Sequence, residues 1–290
     1  MKIVITGATG FIGSRLSTTL RNRGHQIATL GRGASADYRW NLSAPPPQQA
    51  FENAGAIVHL AGEPVSRRWN PEVKRRIRDS RVVSTNQIVD VLATLPNRPA
   101  VFVCASAVGY YGNRGDEPLP ETAAPGTGFL VDVCREWEAA ADRAQALGLR
   151  VVKVRIGVVL GKGGGALQAM LPPFKAGLGG PMGSGKQWFP WIHIDDIVGI
   201  FHHALDTQVS GPLNGAAPDV VTNRAFAEAL GKALHRPALL PTPKFALKLL
   251  FGEMADVILS SQFVIPEATL SSGYSFVYPD LPHALASLAL

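Results

Sequence analysis

The chain has 290 residues, 46% hydrophobic and 17% charged, so it can bury one large or two smaller cores and is too apolar to be disordered. No run of about 18 uncharged apolar residues is present, so no membrane span is expected. The net charge is +6, but the basic residues are dispersed apart from Lys74 to Arg81 and no aromatic–basic ladder accompanies them; nucleic-acid binding is therefore not expected, and an anionic ligand accounts for the excess.

Lys2 to Thr6 (KIVIT) is a β-branched run of strand length, starting so early that no signal peptide is expected. Gly7, Gly10 and Gly13 follow at GxxGxxG spacing, and Ile12, Leu16 and Leu20 then mark one face of a helix that Gly24 stops. Strand, glycine turn and helix is the order of a dinucleotide-binding unit. Gly7 allows the tight turn, Gly10 lets backbone N–H groups approach a pyrophosphate, and Gly13 brings the helix close to the sheet. The helix N-terminus turns its partial positive charge to the phosphates. Gly7, Thr9, Gly10, Phe11, Ile12 and Gly13 are the expected cofactor cradle.

A second strand, Gln26 to Leu30, ends at Gly31-Arg32-Gly33. A cofactor with a free 2′-hydroxyl usually meets an acidic residue here. None occurs before Asp37, and Arg32 stands in its place. An arginine fork suits a 2′-phosphate, so NADP(H) is expected rather than NAD, with a solvated loop residue as the alternative for Arg32. Tyr38 to Leu42 reads as a third strand, with Asn41 and Leu42 flanking the adenine. Ala56 to Leu60 reads as a fourth, with Ala61 and Gly62 ending near the cofactor's ribose and phosphates. His59 reads as a packed core histidine. Pro71 opens a helix running to about Leu95. Its basic residues form a solvated face, from which Arg76 or Arg81 reaches a cofactor phosphate.

Ala100 to Ala105 is a fifth strand. Its end brings Cys104, Ala105 and Ser106 to the nicotinamide position of an open sheet. Cys104 and Cys134 lack metal-ligand spacing and read as reduced thiols of a cytoplasmic protein, and no metal site is expected. A helix from Gly128 to Leu147 and a sixth strand from Arg150 to Ile156 follow. Leu171 to Trp191, rich in Pro and Gly, reads as loop. Gly180 to Lys186 fits GxxxxGK, but Gln187 stands where a phosphate loop needs Ser or Thr, and no helix follows. A Walker-type ATPase is rejected on that context. Trp191 to Ile194 reads as strand, with Asp195 capping a helix to about Leu205. Further helices are expected at Asn223–Leu234, Lys244–Leu259 and Pro282–Leu290, and short strands at Val221-Thr222 and Phe276-Val277.

Several stretches together carry a family resemblance: TGATGFIG (6–13), HLAGEPV (59–65), RRW (67–69), DSR (79–81), RIGVVLGKGGGAL (155–167), GSGKQWFPWIHIDD (183–196), LNGAAP (213–218) and GEMADVILSSQFVIP (252–266). The chain resembles the extended short-chain dehydrogenases/reductases, in the atypical branch called the epimerase family. The resemblance implies an α/β fold with a Rossmann-type doubly wound parallel sheet and a smaller C-terminal substrate-side domain. The NADP-binding part spans 1–160, with 188–215 returning to it, and the smaller domain spans 161–290. It further implies NADP(H) contacts from Gly31, Arg32, Leu60, Ala61, Arg81 and Val159, and a homodimer paired through the helices after the fourth and fifth strands.

The departure is catalytic. Ordinary members carry YxxxK on the helix after the fifth strand, where the lysine lowers the tyrosine pKa. Here Phe129-Leu130 and Val133-Cys134 occupy those places, and only the serine position, Ser106, is kept. Tyr110 or Tyr111 is the candidate proton donor, with aromatic packing as the alternative. His193 is a second candidate, with local hydrogen bonding to Asp195 or Asp196 as its alternative. Lys186 and Arg155 are candidates for an anionic group of substrate or cofactor, and an interior ion pair is the equal alternative for Arg155. The glycine-rich stretches Gly161–Gly165 and Gly177–Gly185 suggest a closing cleft. The expected function is an NADP(H)-binding, epimerase-like oxidoreductase acting on an unidentified small polar substrate. The alternative is a catalytically silent NADP(H)-binding sensor or scaffold linked to cell division.

Overall fold

The computed structural model describes residues 1–290. In chain order, the first part is β1 (Lys2–Thr6), α1 (Phe11–Asn22), β2 (Gln26–Gly31), β3 (Tyr38–Arg39), β4 (Ala54–His59), α2 (Pro71–Asp79), α3 (Val82–Thr94) and β5 (Val101–Ala107). The middle part is β6 (Pro118–Leu119), α4 (Phe129–Asp142), β7 (Arg150–Ile156), β8 (Val158–Leu160), α5 (Gly165–Lys175), β9 (Trp188–Phe189), β10 (Trp191–His193), α6 (Ile194–Asp206) and β11 (Gly211–Gly215). The remainder is β12 (Val221–Thr222), α7 (Asn223–Ala233), α8 (Lys244–Phe251), α9 (Met254–Ile258), β13 (Phe263–Val264), α10 (Glu267–Ser271) and α11 (Leu281–Ser287).

Seven strands form one parallel sheet in the order β11-β7-β5-β4-β1-β2-β3. The near-continuous apolar runs of β4 and β5 fit a sheet covered on both faces. From β1 the chain crosses one way to β2, and from β4 it crosses the other way to β5. Right-handed crossovers therefore put α1 and α3 on opposite faces; α6 packs beside α1 and α4 beside α3. The order reverses between β1 and β4, the switch point where such sheets bind ligands. The larger core fills the space around this sheet, and a second gathers Phe174, Phe189, Trp191, Phe226 and Leu285 among the later elements.

Several expected elements differ from the observed ones. The expected helix from Pro71 to Leu95 breaks at Ser80-Arg81. There the hydroxyls of Ser80, Ser84 and Thr85 bond to the carbonyls of Ile77, Ser80 and Arg81, competing with the backbone ladder. The expected loop from Leu171 begins inside α5, which carries Pro172 and Pro173 because Leu167 and Phe174 bury its inner face. The expected strand at Phe276-Val277 is not one. The buried Asp196 carboxylate takes the amides of Val277 and Tyr278 at 2.7 and 2.9 Å, so no neighbouring strand is needed. The cap of α6 is His193, not Asp195.

Candidate cofactor and active site

The glycine turn joins β1 to α1. Gly7 has φ +68°, and a Cβ there would lie 2.8 Å from the Leu60 carbonyl carbon at the end of β4. A Cβ on Gly13 would lie 2.1 Å from the Gly7 oxygen, so only glycine lets α1 come this close to the turn. Gly10 is exposed and meets only the Gly7 oxygen. No side chain caps α1 and no acid stands in its first turn. The amides of Phe11, Ile12 and Gly13 have no partner in the chain. Three unpartnered N–H groups at a helix N-terminus, in a cradle that side chains would fill, fit an anion such as a pyrophosphate.

Beside the cradle, the Thr6 hydroxyl accepts hydrogen bonds from the Leu60 and Ala61 amides, both at 3.1 Å, and lies 2.6 Å from His59 Nδ1. His59 Nε2 lies 3.0 Å from the Ser84 hydroxyl. Burial, with a smaller push from Arg81, drives the His59 pKa down to about 3. The ring is thus a neutral strut between β1, β4 and α3, as read from the sequence. Arg81 turns inward: one nitrogen donates to the carbonyls of Glu63 and Ile77 at 3.0 and 3.1 Å, and the guanidinium sits 3.1 Å from where a Gly62 Cβ would be. Arg76 lies on the exposed face of α2 and pairs with Glu72 at 3.0 Å, so of the two arginines Arg81 alone points toward the sheet.

At the end of β2, Arg32 is exposed and makes no ion pair or hydrogen bond within the chain. Asp37, the first acid after β2, is spent locally. Both the Thr29 amide and the Thr29 hydroxyl donate to it at 2.8 Å, and these bonds lower its pKa. Asn41 accepts from the Ser43 amide at 3.1 Å, and Asn41 and Leu42 are exposed beside it, past the end of the shortened β3. Cys104 and Ala105 are buried within β5. Both cysteines are free, and burial raises both thiol pKa values, that of Cys134 to about 12. Val159 lies on β8, ahead of Gly161, Gly164 and Gly165, which close on the Phe11 ring. Cβ atoms there would come within 2.7, 2.5 and 2.9 Å of it. This glycine stretch is therefore seated on an aromatic ring, not held open as a cleft edge.

The catalytic candidates are drawn into the interior. The Ser106 hydroxyl donates to Glu138 at 2.7 Å. Glu138 on α4 and Arg155 on β7 form a two-pronged pair at 2.8 and 2.9 Å. Arg155 also donates to the Tyr111 hydroxyl at 3.0 Å and the Glu121 carbonyl at 2.9 Å. The Tyr111 hydroxyl donates to Asn214 at 2.7 Å, and burial pushes its pKa up to about 12. Ser106 and Tyr111 are 2% and 0% exposed, so neither hydroxyl faces a ligand, and Arg155 is an interior ion-pair partner. His193 is likewise used up: Nδ1 accepts the Asp195 amide at 3.1 Å, Nε2 lies 3.2 Å from Ser287, and burial lowers its pKa. Lys186 is exposed on its loop. Tyr110 differs from Tyr111. It is half-buried, its hydroxyl has no partner in the chain, and the Arg155 guanidinium lies 3.6 Å from its ring centre. An open groove of about 690 Å³ runs along the flank of α1 past Thr9, Lys162, His193 and Ser287, away from the ends of β4 and β5.

Sequence reading missed Glu138, Glu121 and Asn214. The signal for Glu138 was there: it is a lone carboxylate on the inward face of α4 with Val131, Cys134 and Ala141.

The family model for the NAD dependent epimerase/dehydratase family matches residues 3–217, and a domain of unknown function (DUF1731) matches residues 242–288. The epimerase family protein SDR39U1 homolog, chloroplastic, of Arabidopsis thaliana is 42% identical over 301 residues, spanning 99% of this chain and 86% of the relative. The crystal structure of human epimerase family protein SDR39U1 (isoform 2) with NADPH superposes with a TM-score of 0.91 at 38% identity, covering 100% of this chain and 99% of that one. A structure of the nucleoside-diphosphate sugar epimerase from Corynebacterium glutamicum gives a TM-score of 0.80 at 34% identity, over 100% of this chain and 58% of that one. The chain belongs to the NAD dependent epimerase/dehydratase family.

Proposed function

We propose that this chain binds NADP(H) at the β1–α1 turn and works as an epimerase-family oxidoreductase on a small polar substrate. One observation carries the reading: the three unpartnered amides of Phe11, Ile12 and Gly13 in a cradle that admits only glycine at positions 7 and 13. The unpaired Arg32 at the end of β2 and the local engagement of Asp37 favour the 2′-phosphate form, and the human relative's structure holds NADPH. Backbone at Leu60 to Gly62, the Arg81 guanidinium and Val159 complete the set expected to hold it. The dinucleotide, when bound, supplies hydride transfer. The protein positions it and keeps solvent from the sheet. Tyr110, with its free hydroxyl beside the end of β5, is the phenol left to move a proton. The name of the Corynebacterium relative makes nucleoside-diphosphate sugars the first substrates to try.

Binding of NADPH and NADH to wild type and Arg32→Ala tests the cofactor half. The expected result is a loss of at least about tenfold in NADPH affinity with NADH affinity unchanged, since charge-assisted bonds to the 2′-phosphate are removed. An unchanged NADPH preference would refute the assignment. Turnover of nucleoside-diphosphate sugars, followed by interconversion of the sugar, tests the other half with Tyr110→Phe as the control. The blocked α4 positions, Phe129, Leu130, Val133 and Cys134, favour a second reading, cofactor binding without turnover. Tight NADPH binding with no reaction across the screen would select it.

A further inference from the structure

His25, His202 and Asp206 lie at the far ends of α1 and α6 from the glycine turn, and one ligand atom from each comes within 4.8 Å of the other two. The local fold places them. Gly24 ends α1 with φ +82°, and the His25 amide bonds back to the Leu20 carbonyl at 3.1 Å, which fixes His25 just past the last turn. His202 and Asp206 stand one turn apart on α6, with Nε2 and Oδ2 already 3.0 Å apart. Ligand atoms around a zinc-sized ion at about 2.0–2.1 Å are about 3.3 Å from one another in tetrahedral geometry, so closing the trio asks only for side-chain rotation. A second observation is independent of the spacing. His25 Nδ1 is buried and has no hydrogen-bond partner, so no other group of the chain engages the imidazole through that nitrogen.

We propose that His25, His202 and Asp206 form a site for one divalent d-block cation of the zinc or cobalt class, with a fourth position open to solvent. Two imidazoles and a carboxylate are a donor set of that class. Spacing along the sequence pointed to no metal, because the ligands are 177 residues apart and meet only through the packing of α1 on α6. The adjoining groove, lined by Thr18, Asn22 and Asp206 among others, leaves room for water at the open position. Both helices present their C-terminal carbonyl ends here, and the partial negative charge of those ends favours a cation. Around His202, Asp206 attracts charge while Arg23, His25 and His203 oppose it. His203 is engaged with the Ser272 hydroxyl at 2.9 Å, and Arg23 is a permanent cation that a bound metal must tolerate. A metal here would pin the tail ends of the two helices whose head ends are joined by Arg15 and Asp195 at 2.9 Å.

The test is titration of the untagged, chelator-stripped full chain with Co²⁺, read by visible d–d absorption, followed by displacement with Zn²⁺. One Co²⁺ per chain is expected. His25→Gln and His202→Gln should each weaken uptake by at least about tenfold, since each removes a direct ligand. His283→Gln, at a surface histidine paired with Asp280, should leave uptake unchanged. Zn²⁺ should raise the thermal midpoint of the wild type and not that of His25→Gln. Absence of Co²⁺ uptake, or uptake undisturbed by both ligand variants, would overturn the site.

Discussion

In an Arg155→Met variant, the Glu138 carboxylate would remain in the interior with only the Ser106 hydroxyl as donor. The wild-type pair is 4% and 7% exposed and joined by two bonds of 2.8 and 2.9 Å, so water cannot replace the lost cation. The Tyr111 hydroxyl and the Glu121 carbonyl each lose a donor as well. Breaking one side of a buried pair costs about 3–5 kcal/mol, mostly because the other charge is stranded. At about 2 °C per kcal/mol for a chain of this size, the thermal midpoint should fall by roughly 6–10 °C. A stranded carboxylate can escape by taking a proton, so the penalty should shrink as the pH is lowered. The double variant Glu138→Leu/Arg155→Met removes both charges and should recover most of the loss. Urea unfolding of wild type, both single variants and the double gives the coupling directly. A single-variant cost below about 1 kcal/mol, or a double variant as unstable as the sum of the singles, would refute the view that Ser106 and Tyr111 belong to a structural network centred on this pair.

His59 gives the fold a pH dependence of defined sign. Its folded pKa of about 3 lies below the ordinary 6.5, so the unfolded chain binds the extra proton. Stability is then full above about 6.5 and is lost, by a few kcal/mol, as the pH falls toward 3. Urea unfolding of His59→Asn across that range should show a flatter profile, and a slope equal to the wild type's would sink the assignment. Gly164→Ala places a methyl 2.5 Å from the Phe11 ring and should destabilise by about 1–3 kcal/mol through overpacking. Phe11→Leu in the same chain should return part of that stability in thermal unfolding. If Gly164→Ala costs nothing, the ring is not seated as described.

Five strands of the sheet were legible because each is a short apolar run between turn residues, whereas β3 is shorter than expected and β11 (GPLNG) was not read as a strand, since neither is such a run. Arg150 to Ile156 was read to its ends, and the glycine turn was read with its helix. What failed was local competition. Val73, Ile77, Val82, Ile88 and Leu92 read as the apolar face of a continuous helix, yet the hydroxyls of Ser80, Ser84 and Thr85 break it, and pattern alone does not register that. Pro172 and Pro173 read as breakers although burial of Phe174 outweighs them. At the candidate site, Arg32 and the glycines could be read because their chemistry depends on neighbours in sequence. The bond of His193 to the Asp195 amide was readable for the same reason, but the engagement of Ser106 and Tyr111 and the contact of His193 with Ser287 were not, because those partners come from 32, 103 and 94 residues away.

The string through Thr6, His59 and Ser84 has a direction that its ends impose. Amides of Leu60 and Ala61 can only donate, so the Thr6 hydroxyl must pass its hydrogen to His59 Nδ1. That leaves the hydrogen of the neutral ring on Nε2, pointing to Ser84, whose own hydrogen goes to the Ser80 carbonyl at 2.7 Å. No member can turn around without two donors facing each other. A string that begins in amide hydrogens and ends in a carbonyl has no group at either end to take up or release a proton, so it cannot act as a relay. It fixes one imidazole tautomer and a permanent polarity beneath the end of β4.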